Sequence, residues 1–153
     1  MKIKLMSADA KIPTRAENGA AGFDLYVPAD FIVTPGRNLL PLDIMIELDH
    51  GTEGQIRPRS GFSLKGIEGY SELLPNFPGR YDADVLLGTI DESYRGNVGV
   101  IINSNEPHPF YITKGTRIAQ LVISHYCSEP FEVVNELSET SRGEQGFGHT
   151  GTV

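Results

Sequence analysis

The sequence predicts an all-β domain, a barrel or sandwich of short strands. Three observations carry this. Apolar residues alternate with polar ones at period two in several short stretches. Turn signals recur every few residues, at Pro35-Gly36, Asp49-His50-Gly51, Pro78-Gly79, Arg95-Gly96-Asn97 and Lys114-Gly115. No stretch shows the three-and-four spacing of a long amphipathic helix.

Taken in chain order, Lys2-Ile-Lys-Leu5 opens at period two. Ile44, Ile46 and Leu48 then alternate with Met45 and Glu47. The segment Gly61–Lys65 predicts one helical turn, stopped by Gly66. Glu68 to Asp84 holds Tyr70, Pro75, Phe77, Pro78 and Tyr81 without a clear period, which predicts a long surface loop; the wider stretch 67–87 is expected to be an insertion or flap. Residues 88–99 have hairpin character. Val98, Val100 and Ile102, and later Ile118, Leu121 and Ile123, mark two further strands. The tail from Glu129 is acidic and ends with four glycines within residues 143–151. Such a backbone orders only when something holds it, so a flexible C-terminal arm is expected.

Composition bounds the function. The 153 residues suit one domain, 1–153, with a core of its own. An apolar share of 39% exceeds that of a disordered chain. No apolar run approaches the ~20 residues of a membrane-spanning helix, and the N-terminus lacks a signal-peptide core, so no membrane partner is expected. One cysteine, Cys127, forms no internal disulfide and fits a reducing, intracellular compartment. A net charge of −7 argues against a nucleic-acid partner. Yet five of the eight arginines (Arg57, Arg59, Arg95, Arg117, Arg142) sit in short segments rich in Gly, Ser, Asp or Gln. Arginine is suited to bidentate phosphate or carboxylate contacts.

Three segments carry candidate chemistry. Arg57-Pro-Arg59-Ser60-Gly61 places charge, a hydroxyl and a bare backbone within one turn, as a phosphate requires; it reads equally as a polar turn. Asp91, with Tyr94 three residues on, offers a carboxylate able to deprotonate a water; an Asx-turn is the plainer alternative. Arg142, Phe147 and Thr150 lie on a glycine backbone that exposes N–H groups, beside an aromatic ring able to cover a base; the plainer alternative is a frayed tail. The tail lacks the Gly-Lys-Ser/Thr ending of a Walker loop and the strand–turn–helix of a dinucleotide fingerprint. The four histidines have no partner at zinc-ligand spacing, and Cys127 has no nucleophile signature. A magnesium ion on substrate phosphates and one or two carboxylates stays open.

In order, Ala21-Gly-Phe-Asp24-Leu25, Pro58-Arg-Ser-Gly61, Gly88-Thr-Ile-Asp-Glu-Ser-Tyr-Arg-Gly96, Arg117-Ile-Ala-Gln120-Leu121 and the segment Arg142–Gly151 resemble the five motifs of the trimeric dUTPase family. The resemblance covers nearly the whole chain. It implies a jelly-roll-like β-barrel that assembles as a homotrimer, with active sites at subunit interfaces. It also implies Mg²⁺-dependent hydrolysis of dUTP to dUMP and pyrophosphate, which limits uracil in DNA and supplies dUMP for dTMP synthesis.

Residue by residue, the resemblance makes Asp91 the base for water attacking the α-phosphorus. Tyr94 lies against the deoxyribose and excludes a 2′-OH. The backbone around Gly88, Ile90 and Gly99 pairs with uracil. Arg59, Ser60, Gly61 and Gln120 contact phosphates. Arg142 takes the γ-phosphate, Phe147 stacks on uracil, and Gly148 and Thr150 complete a lid over 142–153. Asp24 holds a magnesium-bound water or braces the site. Gln145 and His149 depart from the lid motif, Ser63 departs from the small apolar residue usual in the second motif, and the stretch from Gly66 to Gly88 is longer than the family's. Two alternatives stand beside this reading: a deaminase-type or bifunctional relative acting on dCTP, and a non-catalytic nucleotide-binding regulatory trimer.

Overall fold

The computed structural model describes residues 1–71 and 74–146. Along them run β1 Lys2–Leu5, β2 Gly22–Tyr26, β3 Phe31–Val33, β4 Gly36–Pro41, β5 Ile44–Glu47, β6 Thr52–Arg57, α1 Ser60–Lys65, β7 Ile67–Ser71, β8 Leu74–Tyr81, β9 Ala83–Val85, β10 Gly88–Ile90, β11 Gly99–Ser104, β12 Phe110–Ile112 and β13 Arg117–His125. The strands pair antiparallel, in the orders β1-β5, β10-β6-β13-β2, β4-β11-β9 and β3-β12-β7-β8. This is the all-β architecture the turns and alternation predict, in the jelly-roll-like form that the resemblance implies.

The alternation works as the pleat requires. In β6, Thr52, Gly54 and Ile56 are buried while Glu53 and Gln55 are half-exposed. In β11, Val100, Ile102 and Ser104 face inward. One core takes residues from every sheet, with Leu25, Val33, Leu40, Val100, Ile102, Phe110, Ile112 and Ile118 fully buried. Each such side chain contributes about 1.5–3 kcal/mol by leaving water. In β13 two neighbours, Ile118 and Ala119, are both buried, because the register against β2 shifts between Arg117 and Ala119.

Two expectations are overturned. Glu68–Asp84 is no irregular loop: β7 and β8 pair across it, and β9 follows. Gly69 brings β7 against β12, since a Cβ there would stand 2.5 Å from the Tyr111 carbonyl oxygen and 2.9 Å from a Phe110 ring carbon. Tyr81 stacks flat on Phe110, ring centroids 4.3 Å apart. Pro78-Gly79 lies inside β8 and is not a turn; β8 is the outer strand of its sheet, where a missing N–H costs no ladder bond. Nor do residues 88–99 form a hairpin. β10 pairs with β6, whereas β11 pairs with β4 and β9. After the turn, Val98 exchanges backbone bonds with Leu42 and Ile44 and carries the chain into another sheet.

The predicted helical turn is α1. It ends at Gly66, whose φ of 76° and close approach to the Tyr81 carbonyl both require glycine. From 126 to 146 the chain forms neither strand nor helix, and Phe131, Val133 and Leu137 are almost wholly exposed. Among the described residues no helix is long and apolar enough to cross a membrane.

Candidate active site

One sheet sets out two clefts. Across β2, β13 and β6 the positions Asp24, Gln120 and Arg57 stand side by side in register. Asp24 is buried, at 8% exposure. Its two oxygens each accept from an arginine: Oδ1 from Arg59 Nε at 3.0 Å and Oδ2 from Arg117 at 3.2 Å. Arg59 also donates to the Arg117 carbonyl at 3.1 Å. A desolvated carboxylate held between two guanidinium groups fixes the chain where it leaves β6. Gln120 donates from Nε2 to the Pro58 carbonyl at 2.9 Å. Gly22 makes room for it, because a Cβ at Gly22 would collide with Gln120 Oε1.

Beyond Arg59, Ser60 and Gly61 open α1, and the space where Gly61 would carry a side chain is empty of protein. These residues line a cleft of about 630 Å³. Among the described residues its cations are Arg59, Lys65 and Arg80 and its carboxylates Glu17, Asp24 and Glu68. Arg80 pairs with Glu68 at 3.0 Å. A hydroxyl, an amide, a bare glycine and a braced guanidinium make a surface for oxyanions.

The second cleft, about 420 Å³, is lined by Glu53, Asp91, Glu92, Ser93 and Tyr126. Ile90 pairs with Gly54, which sets Asp91 abreast of Glu53 at the end of β10. Asp91 is exposed, and no hydrogen bond to its carboxylate is made by the described residues. Its carbonyl accepts from the Tyr94 amide at 3.0 Å, closing the turn. The Tyr94 hydroxyl donates to the Asn97 carbonyl at 3.0 Å, and the ring lies over Gly96, where any Cβ would strike it. Arg95 clamps the same turn, donating to the carbonyls of Glu92 at 2.6 Å and Tyr94 at 2.8 Å.

Glu92 is the most heavily bonded carboxylate of this cleft. Oε1 takes His50 Nδ1 at 2.9 Å, and Oε2 takes the Gly51 amide and the Tyr126 hydroxyl, each at 2.8 Å. The hydrogen bond from His50, then those from Gly51 and Tyr126, lower its pKa to about 2. The same bonds push His50 and Tyr126 above their ordinary values.

The structure thus gathers Asp24, Arg59, Ser60, Gly61 and Gln120 at one cleft and Asp91 at another, with Tyr94 on the turn beside it. Gly88 and Ile90 lie on β10, Ile90 buried against Gly54. Gly99 opens β11, its Cα facing Leu39 so closely that a Cβ would stand 2.7 Å from a methyl. Arg142 lines neither cleft; its Nε donates to the Gln145 carbonyl at 2.8 Å. Phe147, Gly148 and Thr150 lie outside the described residues. No group of three acidic, histidine or cysteine side chains able to hold a metal occurs among the described residues, and both Asp24 oxygens are engaged. A magnesium ion would therefore be held here through bound phosphates, with no cage built by the described residues. Sequence reasoning missed Glu92, His50 and Tyr126, whose partners are 34 to 42 positions apart and leave no local signal.

Comparison with known proteins places these clefts in context. A family model described as dUTPase matches residues 8–71 and 80–151. The chain is 44% identical over 152 residues to the deoxyuridine 5'-triphosphate nucleotidohydrolase of Clostridium tetani, covering 99% of this chain and 96% of that one. It is 43% identical over 143 residues to the enzyme of the same name from Vaccinia virus (strain Copenhagen), covering 93% and 86%. A solved dUTPase of Staphylococcus bacteriophage 80alpha, with dUPNHPP, matches at a TM-score of 0.82 and 27% identity, covering 98% of this chain and 97% of that one.

Proposed function

The chain belongs to the dUTPase family, and from that premise we propose that it is a homotrimer whose active sites form between copies, each hydrolysing dUTP to dUMP and pyrophosphate. One observation carries the shared site. Asp91 stands abreast of Glu53, whereas Gln120 stands abreast of Arg57. Four residues of strand separate them, about 13 Å at ~3.3 Å each. A base must stand within one hydrogen bond, or one water, of the proton it takes. A phosphate held at Ser60 and Gln120 is out of reach of Asp91 on the same chain, so a second copy supplies it.

The roles follow from the chemistry of each group. Ser60, Gly61, Gln120 and Arg59 hold phosphate oxygens. Asp91 takes a proton from a water whose oxygen bonds to the α-phosphorus, while the bond from that phosphorus to the bridging oxygen breaks and pyrophosphate leaves. Tyr94, fixed over Gly96, stands against the deoxyribose, and the backbone from Gly88 to Gly99 reads the uracil edge. Arg142, Phe147, Gly148 and Thr150 come with the tail of a neighbouring copy, covering the base and excluding water. Magnesium accompanies the phosphates and neutralises part of their charge. The product role, limiting uracil in DNA and supplying dUMP, and an intracellular site of action follow from the same reading.

The test is pyrophosphate release from dUTP, dCTP, dTTP and UTP, each with and without Mg²⁺. Release from dUTP alone is the expected result. Ammonia from dCTP identifies a deaminase instead, and no turnover of any nucleotide identifies a binding module. Asp91→Asn is expected to lower kcat by ~10²–10⁴ and leave the affinity for a non-hydrolysable dUTP analogue unchanged.

A further inference from the structure

We propose that Glu92 is a positioning residue for hydrolysis: it anchors the turn that carries Asp91, and so fixes where the Asp91 carboxylate stands. This rests on the reading of Asp91 as the base.

Within the described residues Asp91 has no side-chain bond of its own, so its place depends on the backbone beside it. That backbone is fixed through Glu92. One oxygen takes the His50 ring and the other takes the Gly51 amide and the Tyr126 hydroxyl. The donors come from two separate parts of the fold. His50 and Gly51 form the turn between β5 and β6, and Gly51 needs its left-handed φ of 74° to present its amide there. Tyr126 directly follows β13 and is tied to the same turn, its amide donating to the Gly51 carbonyl at 3.1 Å. Arg95 closes the back of the turn through the Glu92 carbonyl. The catalytic turn is thereby bolted to two strand ends of the central sheet.

The arrangement also divides labour between adjacent carboxylates. Glu92 spends its lone pairs on three donors, which hold it ionised and make it a poor proton acceptor. Asp91, lacking such donors among the described residues, keeps its lone pairs for a water. Two neighbouring acids set apart by their environments take different roles.

The experiment compares Glu92→Gln, Glu92→Ala and Tyr126→Phe with the wild-type enzyme, measuring kcat and KM for dUTP, the Kd of a non-hydrolysable dUTP analogue, and the thermal midpoint. A displacement of about 1 Å at a reacting group costs ~10²-fold, so Glu92→Ala should lose about that much kcat, with analogue Kd within about twofold. Glu92→Gln, whose amide oxygen still accepts one donor, should fall between. The double variant Asp91→Asn/Glu92→Ala should be no slower than Asp91→Asn alone, because Glu92 acts only through Asp91. Wild-type kcat in Glu92→Ala overturns the proposal, as does a double variant markedly slower than Asp91→Asn, or a parallel loss of kcat and analogue affinity. Should Glu92→Ala not fold, Tyr126→Phe decides: kcat down several-fold at constant Kd supports the role, and unchanged kcat overturns it. Absence of dUTP turnover by the wild-type enzyme strikes the functional reading instead, which separates the two failures.

Discussion

Two inactive variants should restore one another if the site is shared. The first is Asp91→Asn. The second is the double substitution Ser60→Ala/Gln120→Ala, which strips two donors from the phosphate cleft; one lost donor of this kind costs ~10²–10³ in rate. The geometry sets the expectation. The two clefts share no lining residue, and Asp91 lies about 13 Å from Gln120 along the strand axis alone at ~3.3 Å per residue, with β6 between them. No side-chain rearrangement within one chain closes that gap. In mixed trimers a site is whole when its Asp91 comes from the phosphate-cleft variant and its phosphate cleft from the Asp91 variant. Random assortment of equal amounts makes about one site in four whole. The assay is pyrophosphate release after the variants are unfolded together and refolded, with each refolded alone as control. Recovery to about a quarter of wild-type kcat per site is expected. Activity no greater than the sum of the separate controls would refute the shared site and require Asp91 to serve its own chain's cleft.

Deleting residues 142–153 should lower kcat through the lost closure, by ~10²-fold if the reacting groups are misplaced by about 1 Å, while the thermal midpoint holds, because residues 142–146 are exposed and outside the core. Gly69→Ala should have the opposite profile. Its new methyl meets the Tyr111 carbonyl and the Phe110 ring, overpacking costs about 1–3 kcal/mol, and at roughly 2–4 °C per kcal/mol the midpoint drops by several degrees with kcat retained at 25 °C. Stability against pH should carry two signatures of the Glu92 cluster, read as urea midpoints. Glu92 falls from 4.5 to about 2 on folding, so its contribution is full above pH 4.5 and lost as pH falls toward 2. His50 is raised on folding, so its contribution is full below 6.5 and lost as pH rises through its folded value. Glu92→Gln should flatten both limbs, and His50→Asn the upper one.

What the sequence disclosed follows the range of each interaction. Ile44–Leu48 was readable because alternation is local, and Ile118–Ile123 because its apolar run is. The helical turn expected over Gly61–Lys65 was readable because Gly66 ends it at once. The β7–β8 pair was not: it is held by Tyr81 against Phe110 and Gly69 against Tyr111, contacts some thirty to forty positions apart, and its prolines mimic turns because an outer strand tolerates them. Residues 88–99 misled for a related reason. Two strands flanking a Gly-Asn turn look alike whether they pair with each other or with β6 and β4. At the site, Arg59, Ser60 and Gly61 are contiguous and were legible. That Asp24 braces Arg59 and Arg117 depends on the β2, β13 and β6 registers, and that Glu92 anchors Asp91 depends on a turn and a strand end far along the chain.

The charge of the phosphate cleft bears on why a tail is needed at all. Among the described residues its three cations face three carboxylates, with Arg59 engaged by Asp24 and Arg80 by Glu68. Ser60, Gly61 and Gln120 orient oxyanions without neutralising them. A triphosphate brings several negative charges into a cleft that offers no net positive charge, so the counter-charge has to arrive with the substrate or after it. In the proposed function, magnesium on the phosphates would be the first source. Arg142 would be the second: its one side-chain bond among the described residues goes to the carbonyl of Gln145, within its own exposed turn. That bond is solvent-exposed and local to the turn, so a charged ligand in the cleft would compete for the guanidinium. In the proposed function, closure of the tail would then be driven by the substrate's own charge.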